Sequence, residues 1–194
     1  MKHVTTLTRE PERLAGLYSH LMLHAAGLPN DALFAKMIAS QMVGDGALPP
    51  GLGLGAEGYA RLLVRHFPGS DLTPLLEADV PPAAERRDER QDLVLLMCEH
   101  RAGQDPSELW MAEIVAAACM GGDHLWQDLG LWNRADLTRL MRENFPALAA
   151  KNVHDMKWKK FLYKQLCQQE GMYVCRSPSC EVCVDYQDCF GPED

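Results

Sequence analysis

The cysteines of this chain constrain it most. Seven occur in 194 residues, none of them in the first 97. Cys98, Cys119 and Cys167 are scattered, whereas Cys175, Cys180, Cys183 and Cys189 crowd the C-terminus with the spacing C-x4-C-x2-C-x5-C. Thiols so close in sequence converge on one small object or stay reduced. The count is odd, and residues 1–10 lack the apolar stretch of a secretion signal, so the expected address is cytoplasmic. In a reducing compartment, disulfides are the weaker reading and metal the stronger. Whatever body precedes it, the chain is expected to end in a cysteine-rich metal-binding loop.

Which metal is a question of spacing. Zinc takes four thiolates in a tetrahedron and commonly uses C-x2-C pairs. Zinc ribbons set two such pairs across a long loop, but this tail has one, Cys180 and Cys183. The first three cysteines instead match the C-x4-C-x2-C run of plant-type ferredoxins, whose fourth ligand comes from farther along. A cluster is several ångströms across and asks for wider loops than a single ion, which the x4 and x5 gaps supply. Spacing favours an iron–sulfur cluster over zinc, and both stay open because thiolate serves either metal.

The body reads as helix. Leu14, Leu17, Tyr18, Leu21 and Ala25 recur at steps of three and four. Asn30 or Asp31 caps a second helix carrying Leu33, Phe34, Met37, Ile38 and Met42, and Gly44 stops it. A third spans about 57–66. A fourth starts near Ala83, charged first and apolar later. Asp105-Pro106-Ser107-Glu108 opens a fifth with a cap, a first-turn proline and an acid. Asn133 caps another, and the last clear helix, about 155–169, points Trp158, Phe161, Leu162, Gln165, Leu166 and Gln169 inward before Gly171. Strand periodicity is confined to a brief stretch at 172–174. The expected fold is an all-α bundle of seven or eight helices over residues 1–170, with a cluster-binding tail, 171–194, packed on the same domain.

Three other patterns invite functional readings. Gly51-Leu52-Gly53-Leu54-Gly55 resembles a phosphate loop, but helix precedes it and neither G-x-G-x-x-G nor GK[ST] is present, so it reads as a helix–helix connection. Glu89, Asp92, Leu96 and His100 share a helix face, which suits a carboxylate–histidine site or, more plainly, a half-exposed charged face. Lys157, Lys159, Lys160 and Lys164 read by default as a solvated basic face, with an anion or an acidic partner as the sharper alternatives.

Composition narrows the partners. With 19 Lys and Arg against 27 Asp and Glu, the net charge is −8, which argues against general affinity for nucleic acid or anionic membranes. No apolar run approaches a membrane span. The acidic total hides a local contrast. Lys151, Lys157, Lys159, Lys160 and Lys164 face only Asp155 and Glu170 in one segment, and the next sets Arg176 against Glu181, Asp185, Asp188, Glu193 and Asp194. No hydrolase triad order, H-E-x-x-H or phosphate loop supports an enzyme.

The runs Ala118-Cys-Met-Gly-Gly-Asp-His-Leu-Trp-Gln-Asp-Leu-Gly-Leu131 and Met156-Lys-Trp-Lys-Lys-Phe-Leu-Tyr-Lys-Gln-Leu-Cys167 resemble the NifQ family of nitrogen-fixation proteins. So does the C-x4-C-x2-C-x5-C tail closing on Phe190-Gly191-Pro192-Glu193. The resemblance covers roughly residues 93–194 and thins over the N-terminal helices. It implies an iron–sulfur protein that takes up molybdenum as a Mo–Fe–S unit and donates it for assembly of the nitrogenase iron–molybdenum cofactor. The implied partners are the nitrogenase Fe protein and the cofactor-assembly scaffold complex, and the cargo is molybdate or a molybdenum–sulfur species. The implied ligands are Cys175, Cys180, Cys183 and Cys189. A cluster of three irons and four sulfides needs three thiolates and leaves one corner for molybdenum, with Cys189, set apart by its x5 gap, the favoured fourth ligand. Cys119, His124 and Asp123, beside the break at Gly121-Gly122, are second-site candidates, against burial or helix capping. Cys167 reads as core. A zinc-stabilised helical interaction protein and an iron–sulfur electron carrier remain as alternatives.

Overall fold

The computed structural model describes residues 9–72, 84–169, 171 and 186–192. Helices α1 (Arg9–Leu23), α2 (Asp31–Val43), α3 (Gly55–His66), α4 (Ala84–Glu99), α5 (Ser107–Cys119), α7 (Arg134–Asn144) and α9 (Trp158–Gln169) form the bundle. Three short helices, α6 (Leu125–Asp128), α8 (Pro146–Ala149) and α10 (Tyr186–Phe190), sit in its connections and tail. Among the described residues there is no strand. Periodicity identified the seven long helices and missed α8 and α10, because one turn is too short to show a period.

Two helices run through the middle. α2 buries Leu33, Phe34, Ala35, Met37, Ile38 and Ala39, and α5 buries Met111, Ala112, Ile114, Val115, Ala116 and Ala118. A helix apolar nearly all round belongs inside a bundle. α1 packs along α2, α4 along α5, and α9 crosses onto α4. Each fully enclosed Phe or Leu contributes about 1.5–3 kcal/mol. Phe34, Phe67, Phe145, Leu62 and Leu93 are such residues.

The helix ends show where local chemistry decided and where it did not. Asn133 Oδ1 accepts the Asp136 N–H at 2.9 Å, the expected cap of α7. Ser107 N–H reaches Asp105 Oδ1 at 2.8 Å, and the Glu108 carboxylate turns back onto the N–H groups of Gly103, Gln104 and Asp105 at 2.7–3.0 Å. Gly44 ends α2 at φ 89°. Asn30 departs from expectation. It lies in the left-handed region at φ 72° and makes no cap bond; its side chain reaches Asn144 at 2.8 Å and Ser107 at 3.0 Å instead. Asp31 does not cap the helix either: its carboxylate accepts the N–H of Leu28, in the turn before α2, at 2.8 Å. The last long helix begins at Trp158, not near Asp155, because residues 151–157 form a separate turn.

Among the described residues no helix is long and apolar enough to cross a membrane. Residues 172–185, which carry Cys175, Cys180, Cys183 and the expected extended stretch, lie outside the described residues, and with them the course of the cysteine-rich loop.

Candidate metal centre

Cys189 is the one member of the four-cysteine set within the described residues. It sits on α10, half-buried, with its side chain and that of Phe190 against the edge of the core. The backbone fixes its place. The Cys189 carbonyl accepts the N–H of Lys157 at 2.8 Å, and the Gln187 carbonyl accepts Lys157 Nζ at 3.2 Å. Lys157 stands just before α9, and its own carbonyl accepts from Phe161 at 2.9 Å. α10 therefore covers the start of α9, where helix N–H groups have no partner within the helix. Gly191 closes α10 by donating to the Gln187 carbonyl at 2.8 Å; a Cβ there would lie 2.5 Å from that oxygen, so only glycine fits.

The turn beneath is tightly cross-bonded. Asn152 pairs with both backbone groups of Met156, at 2.9 and 2.8 Å. Asp155 lies at φ 52° and is gripped by Arg134 of α7 through two bonds of 2.7 and 2.9 Å. Trp158 is buried with its ring edge-on to Phe161, centroids 5.7 Å apart. A cleft of about 570 Å³ opens beside this turn, its lining including Lys151, His154, Lys164, Phe161 and Phe190, with no carboxylate on its wall among the described residues.

On another side of α9 lies the break between α5 and α6. Lys159, expected on a solvated face, instead points inward. Its Nζ donates to the Gly121 carbonyl at 3.0 Å, to the Asp123 carbonyl at 2.6 Å and to the carboxylate of Asp128, which is 2% exposed. The inward stripe read from apolar residues missed it, because a lysine counts as polar wherever its ammonium goes. Lys160 does face solvent, and Lys164 lines the cleft. Gly121 is required here: a Cβ would lie 2.4 Å from the Asp128 carboxylate and 2.7 Å from Ala47 Cβ.

The second-site candidates have structural tasks in this region. Cys119 is buried, and burial pushes its thiol up to about 12 against the pull of Lys159, so it stays protonated and unreactive at neutral pH. His124 occupies the cap position of α6, with its N–H given to Gln127 Oε1 at 3.2 Å, and Asp123 gives its N–H to the Asp128 carboxylate at 3.2 Å. Asp123 is therefore not the cap of α6. The shared face on α4 divides as well. Glu89 accepts from Tyr163 OH, whereas His100 Nδ1 lies 2.8 Å from the Leu96 carbonyl and its Nε2 2.8 Å from Lys151 Nζ. Among the described residues no three His, Cys, Asp or Glu side chains come together as a metal site. Cys98 and Cys167 are half-buried on α4 and α9. Gly51, Leu52 and Gly53 take positive φ in the connection between α2 and α3, as does Gly55 at the start of α3, with the Gly53 carbonyl held by Arg90 at 2.7 Å.

Fold and sequence thus define a small helical protein ending in a cysteine-rich tail, whose last cysteine is mounted on the bundle. The sequence model of the NifQ family matches residues 33–191, well beyond the segment where the resemblance is plain by eye. "Protein NifQ" of Azotobacter vinelandii is 49% identical over 176 residues, covering 84% of this chain and 89% of that protein. "Protein NifQ" of Rhodobacter capsulatus is 36% identical over 170 residues, 86% of this chain and 92% of its own. "Protein NifQ homolog" of Sinorhizobium fredii is 38% identical over 130 residues, 67% of this chain and 56% of its own. No solved structure matches. The chain belongs to the NifQ family of nitrogen-fixation proteins.

Proposed function

We propose that the protein is an iron–sulfur carrier of molybdenum. It binds molybdenum as cargo on a cluster held by Cys175, Cys180, Cys183 and Cys189, and donates it for nitrogenase iron–molybdenum cofactor assembly, to the nitrogenase Fe protein and the cofactor scaffold complex. The observation that carries this reading is the family match across residues 33–191, which takes in all four cysteines. The donor set fits, since four thiolates are soft ligands suited to iron and to reduced molybdenum. Cys189 fits too: its thiol is half-exposed on a mounted turn, unlike the enclosed, protonated Cys119.

When bound, the cluster supplies sulfide-bridged irons to which molybdenum attaches. The chain's own residues hold and orient it. Three thiolates serve the iron, and Cys189 is assigned to molybdenum. Lys151 and Lys164 on the described wall of the neighbouring cleft favour an anionic form of the cargo.

The test is metal analysis of protein purified without oxygen, grown with and without molybdate. Iron with brown visible absorption, and molybdenum only in the molybdate-grown sample, is the expected result. Colourless protein holding zinc would favour the structural alternative, and iron without molybdenum an electron carrier. Absence of both iron and molybdenum would refute the proposal.

A further inference from the structure

We infer that Lys157 is a positioning residue for the Cys189 thiol, acting from the 151–157 turn as a rigid mount. The inference rests on the proposed role of Cys189 as a ligand and goes beyond it by naming what holds that ligand in place.

The argument starts from the size of α10. Five residues make a helix too short to hold itself, so its position comes from what it touches. Lys157 grips it twice, through the backbone at Cys189 and through Nζ at Gln187. The backbone bond satisfies a carbonyl of α10 and an N–H at the head of α9 that a short helix and a helix start otherwise leave open, and the ammonium adds a second donor to the Gln187 carbonyl beside the Gly191 N–H. A lysine is suited to this because one residue supplies both donors, and its ammonium reaches two residues back along α10.

The grip orients only if Lys157 is itself fixed, and it is. Asn152 closes a ring on Met156, the residue before Lys157. Asp155 takes the left-handed conformation that aspartate adopts more readily than most non-glycine residues, and Arg134 holds it there through both terminal guanidinium nitrogens. A continuous set of bonds thus runs from α7 through Arg134, Asp155, Met156 and Lys157 to the Cys189 backbone. A ligand carried on such a mount keeps its direction while metal comes and goes, and functional sites need placement of that order.

The test uses the full chain purified without oxygen as Lys157→Met, Arg134→Gln, Cys189→Ser and the Lys157→Met/Cys189→Ser double variant. Two quantities are read: iron and molybdenum per chain, and, on metal-stripped protein, the alkylation rate of Cys189 followed by peptide mass mapping. Lys157→Met should lower metal content in the direction of Cys189→Ser and add nothing to it in the double variant. It should speed Cys189 alkylation by about 3- to 10-fold, the shift expected from one lost hydrogen bond, with the melting midpoint kept. Arg134→Gln should move both readouts the same way by less. Equal metal loss from Lys157→Met in the presence and absence of the Cys189 thiol would overturn the inference, since Lys157 would then act on the fold at large. Unchanged metal and unchanged alkylation would overturn it too. If Cys189→Ser alone keeps full iron and molybdenum, the failure lies with Cys189 as a ligand, and the alkylation rate then decides for or against Lys157.

Discussion

The Lys159–Asp128 pair ties α9 to the break between α5 and α6, and it makes a sharp energetic prediction. The side chains are 18% and 2% exposed. Removing one partner of a buried pair costs about 3–5 kcal/mol, because the other charge is left uncompensated. Asp128→Asn should fall at or below the lower end, about 2–3 kcal/mol. Lys159 would still hold the Gly121 and Asp123 carbonyls, and its partial exposure gives the ammonium a path to water. Lys159→Met should cost more, about 3–5 kcal/mol, because the enclosed Asp128 carboxylate would keep only the weak Asp123 N–H contact. The double variant replaces the pair by neutral groups of similar shape and should be more stable than Lys159→Met alone. The assay is urea unfolding of metal-stripped protein followed by helical circular dichroism, since bound metal would add its own stabilisation. With a slope of about 2 kcal/mol per molar urea, the midpoints should fall by about 1–1.5 M for Asp128→Asn and about 1.5–2.5 M for Lys159→Met. If the double variant loses the sum of the two single costs to within about 0.5 kcal/mol, the residues are not coupled and the reasoning is wrong.

Two further predictions concern the body. His66 is fully buried, with Nδ1 2.6 Å from Asp31 Oδ1 and Nε2 without a partner among the described residues; burial holds its pKa below 6.5 despite the pull of Asp31. The unfolded chain therefore takes up a proton first, and stability is intact above about pH 6.5 and lost as pH falls toward the folded value; His66→Gln should flatten that slope in unfolding measured between about pH 7 and 5, and an unchanged slope would clear His66. The adjacent glycines should differ sharply: Gly121→Ala meets Asp128 at 2.4 Å, while a Cβ at Gly122 meets nothing within 4 Å. Calorimetry should then show a drop of about 3–10 °C for the first and less than about 2 °C for the second.

Legibility in the sequence followed the physics of each element. α2 and α5 were plain because a long apolar run with a stop signal at each end has few other destinies. The caps at Asn133 and Asp105 were plain because side chain and amide are three residues or fewer apart. Asn30 was misread since its partners, Asn144 and Ser107, are remote in sequence and brought near only by the bundle. The same limit hid the inward turn of Lys159 and the mount of Cys189. Arg134 and Asp155 are twenty-one positions apart, and Lys157 is thirty from Gln187. The four cysteines could be picked out by spacing, but spacing carries no direction, and the backbone bond that orients Cys189 leaves no trace in a motif.

What the fold adds to the proposed role is a separation of two stabilities. In small zinc domains the metal is part of the core, and removing it unfolds the chain. Here the described core is built of apolar side chains from the helices. Leu33, Ile38, Ile114, Leu137, Phe145, Phe161 and Leu162 are buried among one another, and the cysteine inside that core, Cys119, is a protonated thiol with an apolar task. Cys189 touches the core only at its edge, and its mount is built from Arg134, Asn152 and Lys157, none of which is a thiol. A carrier must give up its cargo repeatedly without losing its shape. Placing the proposed ligands on a tail, and the anchor of Cys189 on the bundle, would meet that demand: the free energy of metal binding would then set the affinity for the cargo and would not be consumed in folding the body.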